Sequence, residues 1–160
     1  MKHFKALALS GALLAATSTI LWAEGGVSGA IVKDPTVQKE CSACHLAFPA
    51  QFLPQRSWQA IMSDLPNHFG EDASLPAETV ATIQDYLVAN AADANPARAG
   101  KGVMRGIKDT DTPLRITELP WWKRAHGEVS PKRFTSDKIK SASNCAACHA
   151  GAAKGYFEDD

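Results

Sequence analysis

Every cysteine of this 160-residue chain stands in one of two copies of one pattern, Cys41-Ser42-Ala43-Cys44-His45 and Cys145-Ala146-Ala147-Cys148-His149. Nothing else in the sequence constrains the fold as strongly. Four cysteines in an exported chain ordinarily suggest two disulfides, but here each close pair is followed at once by histidine. Cysteines three apart on one helical turn point the same way. Each thiol can then form a thioether to one vinyl group of a haem, and the adjoining histidine projects over the ring towards iron. Cys-x-x-Cys-His is the attachment signature of c-type haem. The sequence therefore predicts two covalently attached haems c, one on Cys41 and Cys44 and the other on Cys145 and Cys148. Two other uses compete. A single tetrahedral zinc would have to gather pairs about a hundred residues apart and would leave both histidines surplus. A thioredoxin-like dithiol needs βαβ surroundings, and the chain has no strand pattern.

Haem iron has two axial positions, and each motif supplies one ligand, His45 or His149. Of the five histidines, His3 falls in the N-terminal leader, so His68 and His126 remain for the two open positions. A lone histidine is more often a surface or hydrogen-bonded core residue than a ligand. Both of these lie among aromatics, with Trp58 and Phe69 near one and Trp121 and Trp122 near the other. The expectation is bis-histidine ligation at both irons. Met62 and Met104 are the rival ligands. Met62 fits the apolar stripe of a helix, whereas Met104 has few apolar neighbours in sequence and is the stronger rival. A thioether would raise the potential and two imidazoles leave it lower, so two low-potential, low-spin centres are expected. His68 follows His45 by 23 residues and His126 precedes His149 by 23. Spacing thus pairs His68 with the first haem and His126 with the second, crossed ligation being the alternative. The inverted order means that the halves are not tandem copies.

Lys2 and Lys5 precede an apolar run from Ala6 to Trp22, the order of a secretory signal peptide and short for a membrane span. Cleavage is expected after Ala23, with an uncleaved anchor as the alternative, because Leu21 is bulky for the third position before the cut. Residues 1–23 are accordingly read as a signal, and the chain as exported to the periplasm rather than integral to the membrane. Beyond residue 23 there are 15 Lys and Arg against 17 Asp and Glu, a net of −2, before haem propionates are added. That balance argues against a nucleic-acid binder, which needs a basic surface. The charge is uneven: residues 24–92 hold three basic and eight acidic residues, and residues 93–160 hold twelve and nine. Such asymmetry either steers partners to different ends or reflects two ordinary solvated surfaces.

Helical periodicity is clearest at Trp58, Ile61, Met62 and Leu65, a run ended by Pro66, and at Val80, Ile83 and Leu87, opened by Ser74 and Pro76 and closed near Asn90. Pro49 and Pro54 deny a long helix after the first motif. Ala91 to Gly102 reads as a linker, Val103 to Arg115 as irregular. A short helix is expected to carry Trp121, Trp122 and His126 and to stop at Gly127, with another from about Ser136 leading into the second motif. Gly151 to Asp160 is expected to fray. The fold class is mainly α: a small helical protein with long irregular loops packed around two covalently bound haems, which serve as part of the core. Residues 24–95 would form an N-terminal haem-binding half and residues 96–160 a C-terminal one.

Several segments together resemble the small bacterial periplasmic dihaem cytochrome c family. They are the run from Cys41 to Pro49, the stretch from Leu53-Pro54 through Trp58 to His68-Phe69-Gly70-Glu71-Asp72-Ala73, and Leu119-Pro120-Trp121-Trp122 with His126 ahead of Asn144-Cys145-Ala146-Ala147-Cys148-His149. The similarity spans nearly all of the chain after the leader. It implies a periplasmic electron carrier with two bis-histidine haems, the distal ligands falling on His68 and His126. It also implies a membrane cytochrome b as donor and a small oxygen-binding monohaem c-type cytochrome as acceptor.

Electron transfer needs no acid, base or nucleophile, and none is assigned; the chain is not expected to be an enzyme. The alternative is a dihaem enzyme, a peroxidase or small-molecule reductase with one labile axial site. A haem-based gas sensor or binder is a third reading. Both require an open iron position, and the supply of histidines argues against one.

Overall fold

The proline-bounded apolar stripes become helices whose buried faces meet. The computed structural model describes residues 31–94 and 100–157. The expected export signal and the middle of the expected linker lie outside the described residues. Helix α1 spans Pro35–Cys41, α2 Gln55–Ser63 and α3 Ala77–Ala89. After residue 99 come α4 at Gly100–Met104, α5 at Pro120–Ala125 and α6 at Pro131–Phe134. Short 3-10 turns at Ala50–Phe52, Leu65–Asn67, Ile116–Glu118, Cys145–Ala147 and Ala152–Lys154 link them. No strand forms among the described residues; the one β-bridge, between His68 and Glu71, closes a turn.

Proline explains most of the helix starts. It sits at the first position of α1, α5 and α6, where its fixed φ is already helical and its missing N–H would have had no partner. Asp34 caps α1 by accepting from the N–H groups of Thr36 at 2.8 Å and Val37 at 3.0 Å. At α3, Pro76 is itself the cap residue and Glu78 lies in the first turn, favourable to the helix dipole.

One apolar cluster joins the two halves. Val37, Leu53, Ile83 and Leu87 come from the first half, and Val103 and Leu119 from the second; Leu53, Ile83, Val103 and Leu119 are all at most 1% exposed. Burying each of the larger side chains contributes roughly 1.5–3 kcal/mol. Helix α2 packs on α3, α1 also packs on α3, and the Ala50–Phe52 turn touches both α3 and α4. The Trp58 indole enters this core and donates Nε1–H to the Ala50 carbonyl at 2.7 Å. Polar ties reinforce the loops. Asp93 accepts the Gln55 N–H at 2.8 Å, and Arg56 donates to the carbonyls of Lys108 and Asp111, holding the 108–111 loop against α2.

Three segments differ from the sequence expectation. Gly100–Met104 is helical, and Val103 is buried, where a linker giving way to irregular chain was expected. No helix runs from Ser136 into the second motif; the chain turns instead, with Lys140 at φ +66°. The Ser136 hydroxyl donates to Arg133 O and the Asn144 amide to Ile139 O, so local side chains take backbone acceptors that a helix would need. The tail does not fray before residue 157: Ala152 and Gly155 are buried, and Phe157 packs edge-on against Phe52 at 5.0 Å.

Candidate functional site

Each Cys-x-x-Cys-His pattern sits at the end of a short helical turn. Helix α1 stops at Cys41, where the Ser42 N–H bonds back to Gln38 O, and Cys44 and His45 lie in the turn that follows. The second motif is a 3-10 turn tightened by bonds to Cys145 O from Cys148 N at 3.2 Å and His149 N at 2.9 Å. No disulfide joins any of the four cysteines. Burial pushes the Cys41 thiol up, and the nearby Glu40 carboxylate adds to this. Burial likewise raises Cys145, with Cys148 acting in the same direction against an opposing backbone hydrogen bond. A redox dithiol needs its attacking cysteine lowered instead. Among the described residues no three histidine, cysteine or acidic side chains gather in a group that could hold a metal ion.

His68 and His126 each come to the histidine that spacing assigned. The His45 and His68 rings are 6.1 Å apart between centres and inclined by 17°. The His126 and His149 rings are 6.0 Å apart and inclined by 88°. Two imidazoles on opposite sides of one metal, at metal–nitrogen bonds of about 2 Å, place their ring centres roughly 6 Å apart. Both pairs meet that requirement, so the residues present fit an iron between each pair of rings.

The backbone fixes the tautomer of two of these rings. His45 Nδ1 lies 2.7 Å from Leu46 O, and His126 Nδ1 lies 2.9 Å from Trp122 O. A carbonyl can only accept, so each Nδ1 carries the hydrogen and each Nε2 lone pair is free to bind metal. His149 differs: its Nδ1 is buried and has no hydrogen-bond partner among the described residues. His68 is half-buried, and its pKa is lowered chiefly by that burial, with the neighbouring His45 and the Arg115 guanidinium acting in the same direction. The neutral imidazole this favours is the ligating form.

His68 is aimed by a strained turn. Phe69 at φ +55° and Gly70 at φ +105° are both left-handed, the geometry of a type I′ turn, closed by Glu71 N to His68 O at 3.1 Å. Glycine tolerates this, whereas phenylalanine does not do so readily. Phe69 is held from both sides: its ring meets His68 edge-on at 4.9 Å, and the Arg115 guanidinium lies 4.2 Å over its face. His126 is the residue that closes α5, and its ring stacks on Trp122 at 4.2 Å.

Several contributors were not visible in the sequence. Phe48 stacks on His45 at 4.8 Å, Arg115 reaches Phe69 from 46 residues away, and Phe157 packs against both His149 and Phe52. Arg115 and Phe157 belong to no motif and arrive through a long-range or tail contact that has no period, whereas Phe48 lies three residues after His45, within the run from Cys41 to Pro49, with nothing in the sequence to single out its ring. Trp58 and Trp121, grouped with the histidines by sequence proximity, face the core instead. Met62 is buried within the core and Met104 packs against it, which accounts for both side chains by packing.

Short helices without strands, two Cys-x-x-Cys-His turns and a second imidazole opposite each motif histidine describe a c-type cytochrome with two haem centres. The family model for dihaem cytochrome c matches residues 37–157. A diheme cytochrome c from Rhodobacter sphaeroides is 58% identical, with 79% of this chain and 98% of that chain covered and a TM-score of 0.73. A second structure from that organism, of purified DHC, is 54% identical over 79% of this chain and 99% of that one, at a TM-score of 0.66. A diheme cytochrome type c from Shewanella baltica OS155 is 35% identical, covering 80% and 89%, at a TM-score of 0.63. No curated protein matches the chain. The chain belongs to the dihaem cytochrome c family and carries two covalently attached haems c.

Proposed function

We propose that this cytochrome is a periplasmic electron carrier with two low-potential, low-spin bis-histidine centres, receiving electrons from one redox protein and passing them to another. The ring separations of 6.1 and 6.0 Å carry the proposal, because imidazoles on both faces of each iron leave no position for a substrate. The bound haem iron supplies a one-electron couple. The chain's own side chains set the conditions for it. Cys41 with Cys44, and Cys145 with Cys148, fix each macrocycle through thioethers. His45 with His68, and His126 with His149, would hold each iron between two imidazoles, so that little rearrangement would accompany a change of oxidation state. The carbonyls of Leu46 and Trp122 make their imidazoles more electron-rich, which favours ferric iron and lowers the potential.

Export through residues 1–23 would bring the chain to the oxidising compartment where c-type cytochromes act. Among the described residues no helix is long and apolar enough to cross a membrane. A membrane cytochrome b as donor and a monohaem c-type cytochrome as acceptor suit such a carrier. The two halves, divided near residue 95, would each serve one haem. Carbon monoxide added to the reduced holoprotein tests the reading. An unchanged spectrum is expected, whereas rapid binding would favour a dihaem peroxidase or reductase with a labile axial site, or a gas binder.

A further inference from the structure

The two histidine pairs match in separation but not in orientation. His45 and His68 are within 17° of parallel, while His126 and His149 are crossed at 88°. The crossing has a local cause. The His126 ring is clamped twice by one residue: Nδ1 is tied to the Trp122 carbonyl at 2.9 Å, and the imidazole lies against the Trp122 indole at 4.2 Å and 16°. The hydrogen bond fixes the direction in which the ring points, and the stack fixes its plane. Trp122 is itself held, packing against the core and meeting Phe134 at 5.3 Å. Opposite it, His149 takes its plane beside Phe157, 6.1 Å away at 62°. At the first pair, the His45 ring lies along Phe48 at 19°, and His68 stands edge-on to Phe69.

Ring orientation matters to a low-spin ferric centre through its d electrons. An imidazole donates π density into whichever of the two iron dπ orbitals its plane selects. Parallel rings raise the same orbital and split the pair, which gives a rhombic paramagnetic resonance signal. Crossed rings raise one orbital each and leave the pair nearly degenerate. Orbital angular momentum then survives along the haem normal, and the signal is dominated by a single low-field feature.

We propose that Trp122 is a positioning residue that holds His126 across His149, so that the second centre has crossed imidazoles while the first has parallel ones. The two haems then differ electronically although their ligands are the same. This rests on the bis-histidine reading above.

The test is low-temperature electron paramagnetic resonance of the oxidised holoprotein, with Trp122→Met and Trp122→Phe variants. The wild type is expected to show one rhombic low-spin signal and one dominated by a low-field feature. Trp122→Met keeps apolar bulk but loses the flat face, and should shift the low-field feature towards a rhombic pattern with the first signal unmoved. Trp122→Phe restores a stacking face and should restore the feature. Two rhombic signals in the wild type, or a low-field feature unmoved in Trp122→Met, would overturn the proposal. If Trp122→Met fails to take up haem, the decision passes to the haem-methyl proton shifts of the wild type. One haem should show the wide methyl spread of parallel ligands and the other a narrow spread; two wide spreads would overturn it. A high-spin signal or a methionine–iron charge-transfer band would instead refute the ligation on which the proposal stands, and so is told apart from a failure of orientation.

Discussion

The second-site histidine shows how much a single residue carries. His126 ends α5, takes its tautomer from a backbone carbonyl and its plane from an indole, and lies 6.0 Å from His149. Replacing it by alanine removes one of two rings and leaves the first site untouched. The reduced His126→Ala protein is expected to bind carbon monoxide at one of its two haems, read as a partial change in the Soret band. No binding, or binding at both haems, would count against the assignment. That His126 comes to His149 was legible in the sequence, because the expected ligands can be counted: two motifs, two open iron positions and two spare histidines. The stacked partner was not legible, since Trp122 reads equally well as core. Phe157 was hidden too, because an acidic tail gives no sign that one aromatic within it folds back on His149.

At the scale of elements, helix α1 links a cap to a cofactor site. Asp34 satisfies two N–H groups at its start, and Cys41 is its last residue. Asp34→Ala is expected to cost about 0.5–2 kcal/mol of stability, measured by denaturant unfolding of the holoprotein. A loss near zero would mean that the thioethers, not the cap, hold the helix. Helices α2 and α3 could be read directly because their apolar residues repeat with the helical period between prolines. Helix α4 could not. Its Gly-Lys-Gly-Val-Met sequence has poor helix propensity, and packing against α5 and the Ala50–Phe52 turn overrides that. The helix expected from Ser136 fails for the opposite reason, since its serines and Asn144 bond locally and break the run.

For the whole molecule, the shared core matters most. Leu119 from the second half is fully buried in the same cluster as Leu53 and Ile83 from the first. Leu119→Ala is expected to cost about 2–5 kcal/mol and to lower one cooperative transition seen at both haems. Two separated transitions would show that the halves unfold independently. Six basic residues of the second half, Lys123, Arg124, Lys132, Arg133, Lys138 and Lys140, are all exposed. If they guide an acidic partner, the rate of electron transfer to it should fall steeply as salt is added, because screening shortens their reach. A flat dependence would reduce them to an ordinary solvated surface. The mainly helical class was readable from the absence of any alternating pattern. The way the halves join was not, because Phe52, Trp121 and Phe157 meet only in three dimensions.

The proposed electron carrier stands or falls on two histidines at each iron, and the near-infrared spectrum of the oxidised holoprotein reads that ligation. Bis-histidine ligation predicts charge-transfer bands of bis-imidazole low-spin haem from both centres, with none from a methionine–iron bond. A methionine–iron band, from Met104 or Met62, would contradict it.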